Sequence, residues 1–204
     1  MTFDLRARIE REGFAMEERG WALLQMHFDQ LLKWNGRTNL TAIRDPEAIA
    51  ERHFLESLYL ARAAKLSGHV YDIGSGPGFP GLPLKAAFPE IRLTLVESVG
   101  KKVAFLKEVV RCAGAVGVQV EQVRLEDLAK RQGIDADWVT MRAVKPDRLL
   151  QHFRRLLSPH GKLALFLGSD DASRISGAHG FEWETPYMLP ASARRVILIG
   201  QPAT

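Results

Sequence analysis

Between residues 17 and 34, apolar side chains recur at Trp21, Leu24, Phe28, Leu31 and Leu32. This three- and four-residue spacing gives a helix one apolar face. Asn35-Gly36 is a turn signal and is expected to end that helix. A second helix is predicted from Asp45-Pro46-Glu47, because Asp45 offers an N-cap carboxylate and Pro46 suits a first helical position. It runs through Ile49, Phe54, Leu58 and Ala61 and is expected to stop near Ser67-Gly68. Beyond Gly68 the texture changes. Short strand-like runs at 69–73, 92–97, 118–123, 138–142 and 162–167 alternate with helical stretches at 82–88, 101–113, 125–131 and 146–157. Strands separated regularly by helices imply right-handed crossovers and a mostly parallel sheet. The tail segments 181–188 and 194–199, split by Leu189-Pro190-Ala191-Ser192, read as a hairpin closing one edge. The expected fold is therefore α/β: a Rossmann-like, doubly wound, mostly parallel seven-stranded sheet over residues 69–204, preceded by a helical extension over residues 1–68.

Composition narrows the setting without naming a chemistry. Hydrophobic residues make up 46% and charged residues 25% of 204, as in ordinary globular proteins. The single cysteine, Cys112, allows no internal disulfide and no Cys-based metal site, and the six histidines lack ligand spacing. No apolar run approaches the roughly 18–20 residues of a membrane-spanning helix, and the N-terminal residues lack a signal-peptide core. A cytoplasmic protein without metal or membrane attachment is expected. The net charge of +4 lies wholly in the later part: residues 1–68 carry ten basic and ten acidic side chains, residues 69–204 eighteen and fourteen. That bias is compatible with a nucleic-acid partner.

In an open α/β sheet the ligand sits at the carboxyl ends of the strands, where strand order reverses, so the loop after the first strand is the place to look. It holds Gly74, Gly76, Gly78 and Gly81. Gly76 to Gly81 formally satisfies the dinucleotide pattern G-x-G-x-x-G, but Ile73-Gly74-Ser75 then intervenes between strand and first glycine. The alternative register, Asp72-x-Gly74-x-Gly76-x-Gly78, is the nucleoside-binding loop of class I methyltransferases. Its acidic residue would repel a pyrophosphate and attract the cationic methionine moiety of S-adenosylmethionine. The second strand ends in Glu97, a carboxylate able to accept both hydroxyls of a ribose. Leu125-Glu126-Asp127 comes after the third strand and should border an adenine, although acids there also suit a helix start.

Taken together, these residues resemble the RsmG/GidB small-subunit rRNA methyltransferases. The resemblance rests on Asn39-Leu40-Thr41-Ala42-Ile43, on Arg52-His53-Phe54-Leu55-Glu56-Ser57-Leu58, and on Asp72 through Leu84. It continues in Val96-Glu97-Ser98, in Gly100-Lys101-Lys102-Val103-Ala104-Phe105-Leu106 and in Arg142-Ala143-Val144. It implies a class I methyltransferase fold, S-adenosyl-L-methionine as donor, and as acceptor N7 of guanine 527 in the 530 loop of 16S rRNA. The partner is then 16S rRNA, the small ribosomal subunit or its assembly intermediate. It also implies cofactor contacts at Gly74, Phe79, Leu125, Glu126 and Arg142, to which the loop argument adds Asp72, Gly76 and Glu97. One departure stands out: Leu167 occupies the place before Gly168 where many members of the family it resembles carry Lys.

Guanine N7 has a lone pair and no proton, so transfer to it needs positioning and no general base. The end of the fourth strand agrees: it reads Thr140-Met141-Arg142-Ala143-Val144, with no Asp/Asn-Pro-Pro-aromatic segment to hold an exocyclic amine. Cys112 falls inside a helical stretch, away from any role as a nucleophile. Arg142 can bond guanine O6 or a phosphate, or help fix the cofactor. The RNA-contact candidates are Lys33, Arg37, Arg44, Arg52, His53, Lys101, Lys102 and Lys145, with a splayed guanine stacked on Phe79 or another aromatic. His53 reads equally well as a satisfied buried imidazole. The rival readings are a methyltransferase for a small molecule or protein, an NAD-dependent oxidoreductase, and a non-catalytic RNA-binding factor.

Overall fold

In the computed structural model, residues 3–142, 149–177, 180–190, 192 and 194–203 are described. The strands are β1 (His69–Ile73), β2 (Arg92–Glu97), β3 (Val118–Gln122), β4 (Ala136–Arg142), β5 (Leu157–Gly168), β6 (Phe181–Trp183), β7 (Tyr187–Met188) and β8 (Arg195–Pro202). They form one sheet in the order β3-β2-β1-β4-β5-β8-β6, with β7 also on β8. The first five are parallel and β8 runs antiparallel to β5. Strand order reverses between β1 and β4, the position where such sheets bind ligands.

The expected tail hairpin forms, but its first arm splits into β6 and β7, so eight strands stand where seven were expected. Pro186 lies in the gap and has no N–H to donate to β8. Strand β5 begins at Leu157, five residues early, and takes in Ser158-Pro159-His160-Gly161. A register shift opposite Ala136 accommodates it, and Gly161 permits the close approach: a Cβ there would lie 2.4 Å from the Ala136 carbonyl oxygen.

Helices cover both faces. Val70, Leu93, Leu95, Trp138, Ala164, Phe166, Ile197 and Ile199 point to one face, alternating with Tyr71, Ile73, Val96, Val139, Met141, Leu163, Leu165 and Leu198 on the other. The first face carries α1 (Leu5–Arg11), α2 (Glu18–Thr38), α3 (Pro46–Ile49), α4 (Glu56–Ala63), α5 (Gly81–Ala87) and α6 (Gly100–Ala113). The second carries α7 (Leu125–Leu128), α8 (Leu150–Leu156) and α9 (Ser169–Ile175). The expected extension at 1–68 thus shares one core with the sheet: Leu5, Ile9, Leu24, Phe28 and Phe54 are buried alongside strand residues. No helix among the described residues is long and apolar enough to cross a membrane.

Four helical boundaries differ from expectation. Helix α7 stops at Leu128 instead of residue 131, and α8 begins at Leu150, the expected start at 146 lying outside the described residues. Helix α2 passes through Asn35-Gly36 and ends at Thr38, with Asn39 in the left-handed conformation at φ 47°. Asn35 does not turn the chain; it is buried, and its amide group brackets the loop after α2. Its Oδ1 accepts from Thr41 N (2.9 Å) and its Nδ2 donates to the Ile43 carbonyl (3.1 Å). The second predicted helix starts as expected, with Asp45 capping Ala48 N at 2.7 Å. Between α3 and α4 it widens into a π-helical turn, Ala50–Leu55, and it ends at Ala63, short of Ser67-Gly68. Such turns concentrate at functional sites. Replacing Asn35 by Ala leaves two loop groups unpaired and is expected to cost about 2 kcal/mol, read as a lower urea midpoint at unchanged m-value.

Candidate active site

At the β1–β4 junction the Asp72 carboxylate is wholly buried. Its Oδ1 accepts from the Thr140 hydroxyl of β4 at 2.9 Å and its Oδ2 from Gly81 N at the head of α5 at 3.0 Å. Burial pushes its pKa up to about 6, against the pull of those hydrogen bonds. Contact with a cofactor was expected of Asp72; the geometry instead makes it a bracket between two strands and a helix. β1 ends at Ile73, so Gly74 is the glycine that leaves the strand, and its N–H donates to Val96 O at 2.8 Å. The dinucleotide register, which begins at Gly76, starts two residues too late.

A cleft of about 300 Å³ opens beside this loop, lined by Gly74, Glu97, Ser98, Leu125, Glu126, Met141 and neighbouring residues at the carboxyl ends of β1 to β4. Four of the expected cofactor residues meet here: Gly74, Glu97, Leu125 and Glu126. Glu97 accepts from Gly76 N (3.0 Å) through Oε2 and from Val99 N (2.8 Å) through Oε1, so its direction is fixed. Gly76 acts through that backbone bond and does not line the cleft. At Gly74, with φ 67°, a Cβ would project into open space with nothing within 4 Å. The cradle is one that a side chain would fill.

Phe79 and Arg142 lie elsewhere. Phe79 is buried, with its ring between the imidazoles of His27 (centroids 4.6 Å apart) and His53 (4.8 Å), so no RNA base can stack on it. Arg142 comes directly after Met141 and faces a second cleft of about 320 Å³. Ile43, Phe166, Leu167, Leu189 and Val196 supply its apolar walls, and Arg52, His53, Glu56, Arg142 and Arg195 its polar groups. Leu167, where the resemblance leads one to expect Lys, extends the apolar wall.

The polar end is a continuous network. The Arg142 guanidinium donates to the Arg52 carbonyl (2.9 Å) and to His53 Nδ1 (2.6 Å). A guanidinium only donates, so Nδ1 is the acceptor and the proton sits on Nε2, which donates to the Thr41 hydroxyl at 2.9 Å. Burial and the Arg142 charge hold the His53 pKa down at about 3, so the ring is neutral. Of the two roles open to His53, buried imidazole is the one seen. Glu56, 5% exposed, is ion-paired to Arg195, to Arg52 at 3.3 Å and to Arg142 at 3.9 Å. Burial raises its pKa against those three charges. Sequence patterns single out neither Glu56 nor Arg195. Glu56 lies within a recognised motif but has the character of helix surface, and Arg195 reaches the cleft only through the β5–β8 pairing.

Of the basic candidates, Lys33, Arg37, Arg44 and Arg52 are exposed. Arg44 bonds Asn39 Oδ1 at 3.0 Å. Lys101 donates to the Thr38 carbonyl at 2.9 Å and so closes the end of α2. Lys102 lies 4.0 Å from Glu97, at the first cleft. Lys145 falls outside the described residues. Cys112 is half-buried in α6, its thiol donating to Glu108 at 3.4 Å.

Residues 21–183 match the family model described as rRNA small subunit methyltransferase G. The chain belongs to that family. It is 42% identical to the ribosomal RNA small subunit methyltransferase G of Chloroflexus aggregans over 81% of this chain and 71% of that protein. It is 37% identical to the one from Anaeromyxobacter dehalogenans over 92% and 91%. Among solved structures, a SAM dependent methyltransferase from Aquifex aeolicus superposes with a TM-score of 0.64 over 81% of this chain and 98% of that protein. At 14% identity that likeness shows the fold alone.

As a member of this methyltransferase family, the chain takes S-adenosyl-L-methionine as its methyl donor. The first cleft fits that group on its own geometry. The glycine turn has room where a Cβ would stand, Glu97 is oriented at a strand end, and Leu125 offers an apolar edge beside Glu126.

Asp72 gives a pH-dependent expectation. Its folded pKa lies above the unfolded value, so the native state binds the extra proton between about pH 4 and pH 6 and loses stability as pH rises through that window. Asp72→Asn removes this part. The difference in urea stability, variant minus wild type, is expected to grow from pH 4 to pH 6 and then level off.

Proposed function

We propose that the protein methylates N7 of a guanine in small-subunit 16S rRNA, the family resemblance pointing to guanine 527 in the 530 loop. The observation that carries this reading is that two clefts flank the end of β4. Met141 lines the glycine-loop cleft and Arg142, the next residue, lines the basic one. In the first, Gly74, Glu97, Leu125 and Glu126 would hold the donor. When bound, S-adenosylmethionine supplies an electrophilic methyl group: the N7 lone pair forms the new N–C bond while the S–C electrons stay on sulfur as a thioether.

No proton leaves N7, and the chemistry of the second cleft suits such an acceptor. Its imidazole, His53, is neutral, but both ring nitrogens are engaged and it offers no base. The chain's task is then to exclude water, hold the base and align it, which can supply much of the rate. The exposed Lys33, Arg37 and Arg44, beside the loop that brings Ile43 to the second cleft, suit RNA phosphates. Lys101 is less suited, being engaged in closing α2.

Mapping methylated nucleotides in 16S rRNA by mass spectrometry after reaction with purified protein tests the reading; 7-methylguanosine at one position is the expected product. Gly74→Val should fold yet lose S-adenosylhomocysteine affinity by about tenfold or more in calorimetry, since the cradle is filled and φ 67° is strained for a β-branched residue. Arg37→Glu with Arg44→Glu should weaken rRNA binding and flatten its log–log salt dependence by about 1–2 units, with S-adenosylhomocysteine affinity unchanged.

A further inference from the structure

Glu56 is the single carboxylate among the described residues lining the second cleft. Its side chain is 5% exposed, and its Oε1 is buried without a hydrogen bond of good geometry although ion-paired to Arg52 and Arg195. A buried carboxylate on which three arginines converge is costly to place beside a ligand cavity, and arginines alone would suffice for phosphates. The apolar walls, Ile43, Phe166, Leu167 and Leu189, suit the faces of a flat ring. What enters between them meets one acceptor-only group flanked by donors.

We propose that Glu56 reads the acceptor base, its carboxylate taking hydrogen bonds from guanine N1–H and the 2-amino group. This rests on the guanine reading above. Guanine presents two adjacent donors on that edge with O6 beside them, which matches a carboxylate next to an arginine. Adenine presents an acceptor, N1, where guanine has a donor, and would face the carboxylate unpaired. Held by that edge, the base has N7 on its opposite side, away from Glu56. The two outer arginines make the carboxylate available. Arg52 is 50% exposed and Arg195 25%, so both can turn to RNA phosphates as the strand docks, whereas Arg142, 18% exposed, stays fixed by His53 and the Arg52 carbonyl. The resting ion pairs thus keep the carboxylate compensated until the base arrives.

The test uses 16S rRNA ligated to carry guanosine or inosine at the acceptor position; inosine lacks only the 2-amino group and keeps N7. Wild type, Glu56→Gln and Glu56→Asp are compared by kcat/KM and by rRNA affinity in the presence of S-adenosylhomocysteine, whose own binding reports that each variant is folded. Wild type should prefer guanosine by about tenfold or more in both measurements, the loss expected for a hydrogen bond to a charged group. In both variants the preference should shrink to about twofold or less, with the guanosine rate falling most. A wild-type preference near unity, or one equal in wild type and variants, overturns the assignment. If Glu56 merely held arginines in place, the two RNAs would slow together. Should neither variant bind S-adenosylhomocysteine, the wild-type preference decides: near unity overturns the assignment and tenfold supports it. A wild type that methylates neither RNA overturns the guanine reading itself and this assignment with it.

Discussion

The Asp72 carboxylate stands where no water reaches and takes hydrogen bonds from Thr140 on β4 and from the first amide of α5. It spans the place where strand order reverses and ties the end of β1 to β4 and to the head of α5. The glycine turn leaves the strand two residues later, and Ser75 folds its hydroxyl back onto the Asp72 carbonyl at 2.8 Å. Glu97 then takes the amide of Gly76 and orients itself at the cleft. A hydrophobic residue of equal size would satisfy the core there but leave Gly81 N and Thr140 unpaired, at roughly 1–3 kcal/mol for each buried group. The acid belongs to the frame, and the ligand surface is built one layer outward from it.

Much of this frame was legible in the chain. β1 and β2 fall at the expected residues because their buried runs are bounded by glycine or a charged end. The glycine turn and Glu97 announce a nucleoside cleft through spacing alone. What stayed hidden shares a cause: a residue whose local signal and tertiary use disagree. Asn35 carries turn chemistry but spends it on a loop six residues away. Phe79 sits in a binding motif yet fills the gap between two imidazoles. Glu56 has helix-surface character but is covered by Arg195, 139 positions later, from a strand whose register no local pattern displays. The second cleft is assembled from the loop after α2, the π-helical turn, α4, β4, β5 and β8 together, and its contents become visible only once the sheet order is known.

The two clefts differ in electrostatic character in a way that matches the proposed reaction. Glu97 and Glu126 set two carboxylates against one guanidinium, Arg124, in the lining of the first cleft, a balance that suits a cationic donor. Arg52, Arg142 and Arg195 outnumber Glu56 in the second. In the proposed reaction the positive charge ends on the base, among those arginines. Repulsion there works against charge developing on the base as well as favouring release of the product, and Glu56 offsets part of it. The neutral state of His53 fits the same pattern, since burial disfavours a further cation against Arg142.

The π-helical turn at Ala50–Leu55 sets the phase of this chemistry. A widened turn inserts about one residue into a helix that otherwise advances by about 100° per residue. His53 lies inside it and Glu56 just beyond, so both the Arg142 contact and the acidic group of the cleft depend on that added residue. Deleting a single position would let the backbone relax to ordinary helical bonding and a more regular helix. The same deletion would swing Glu56 by about a quarter turn relative to Asp45 and Pro46, carrying it out of the cleft. Local comfort and function are therefore opposed here, and a redesign that regularised this segment for stability would gain a better helix and lose the pocket.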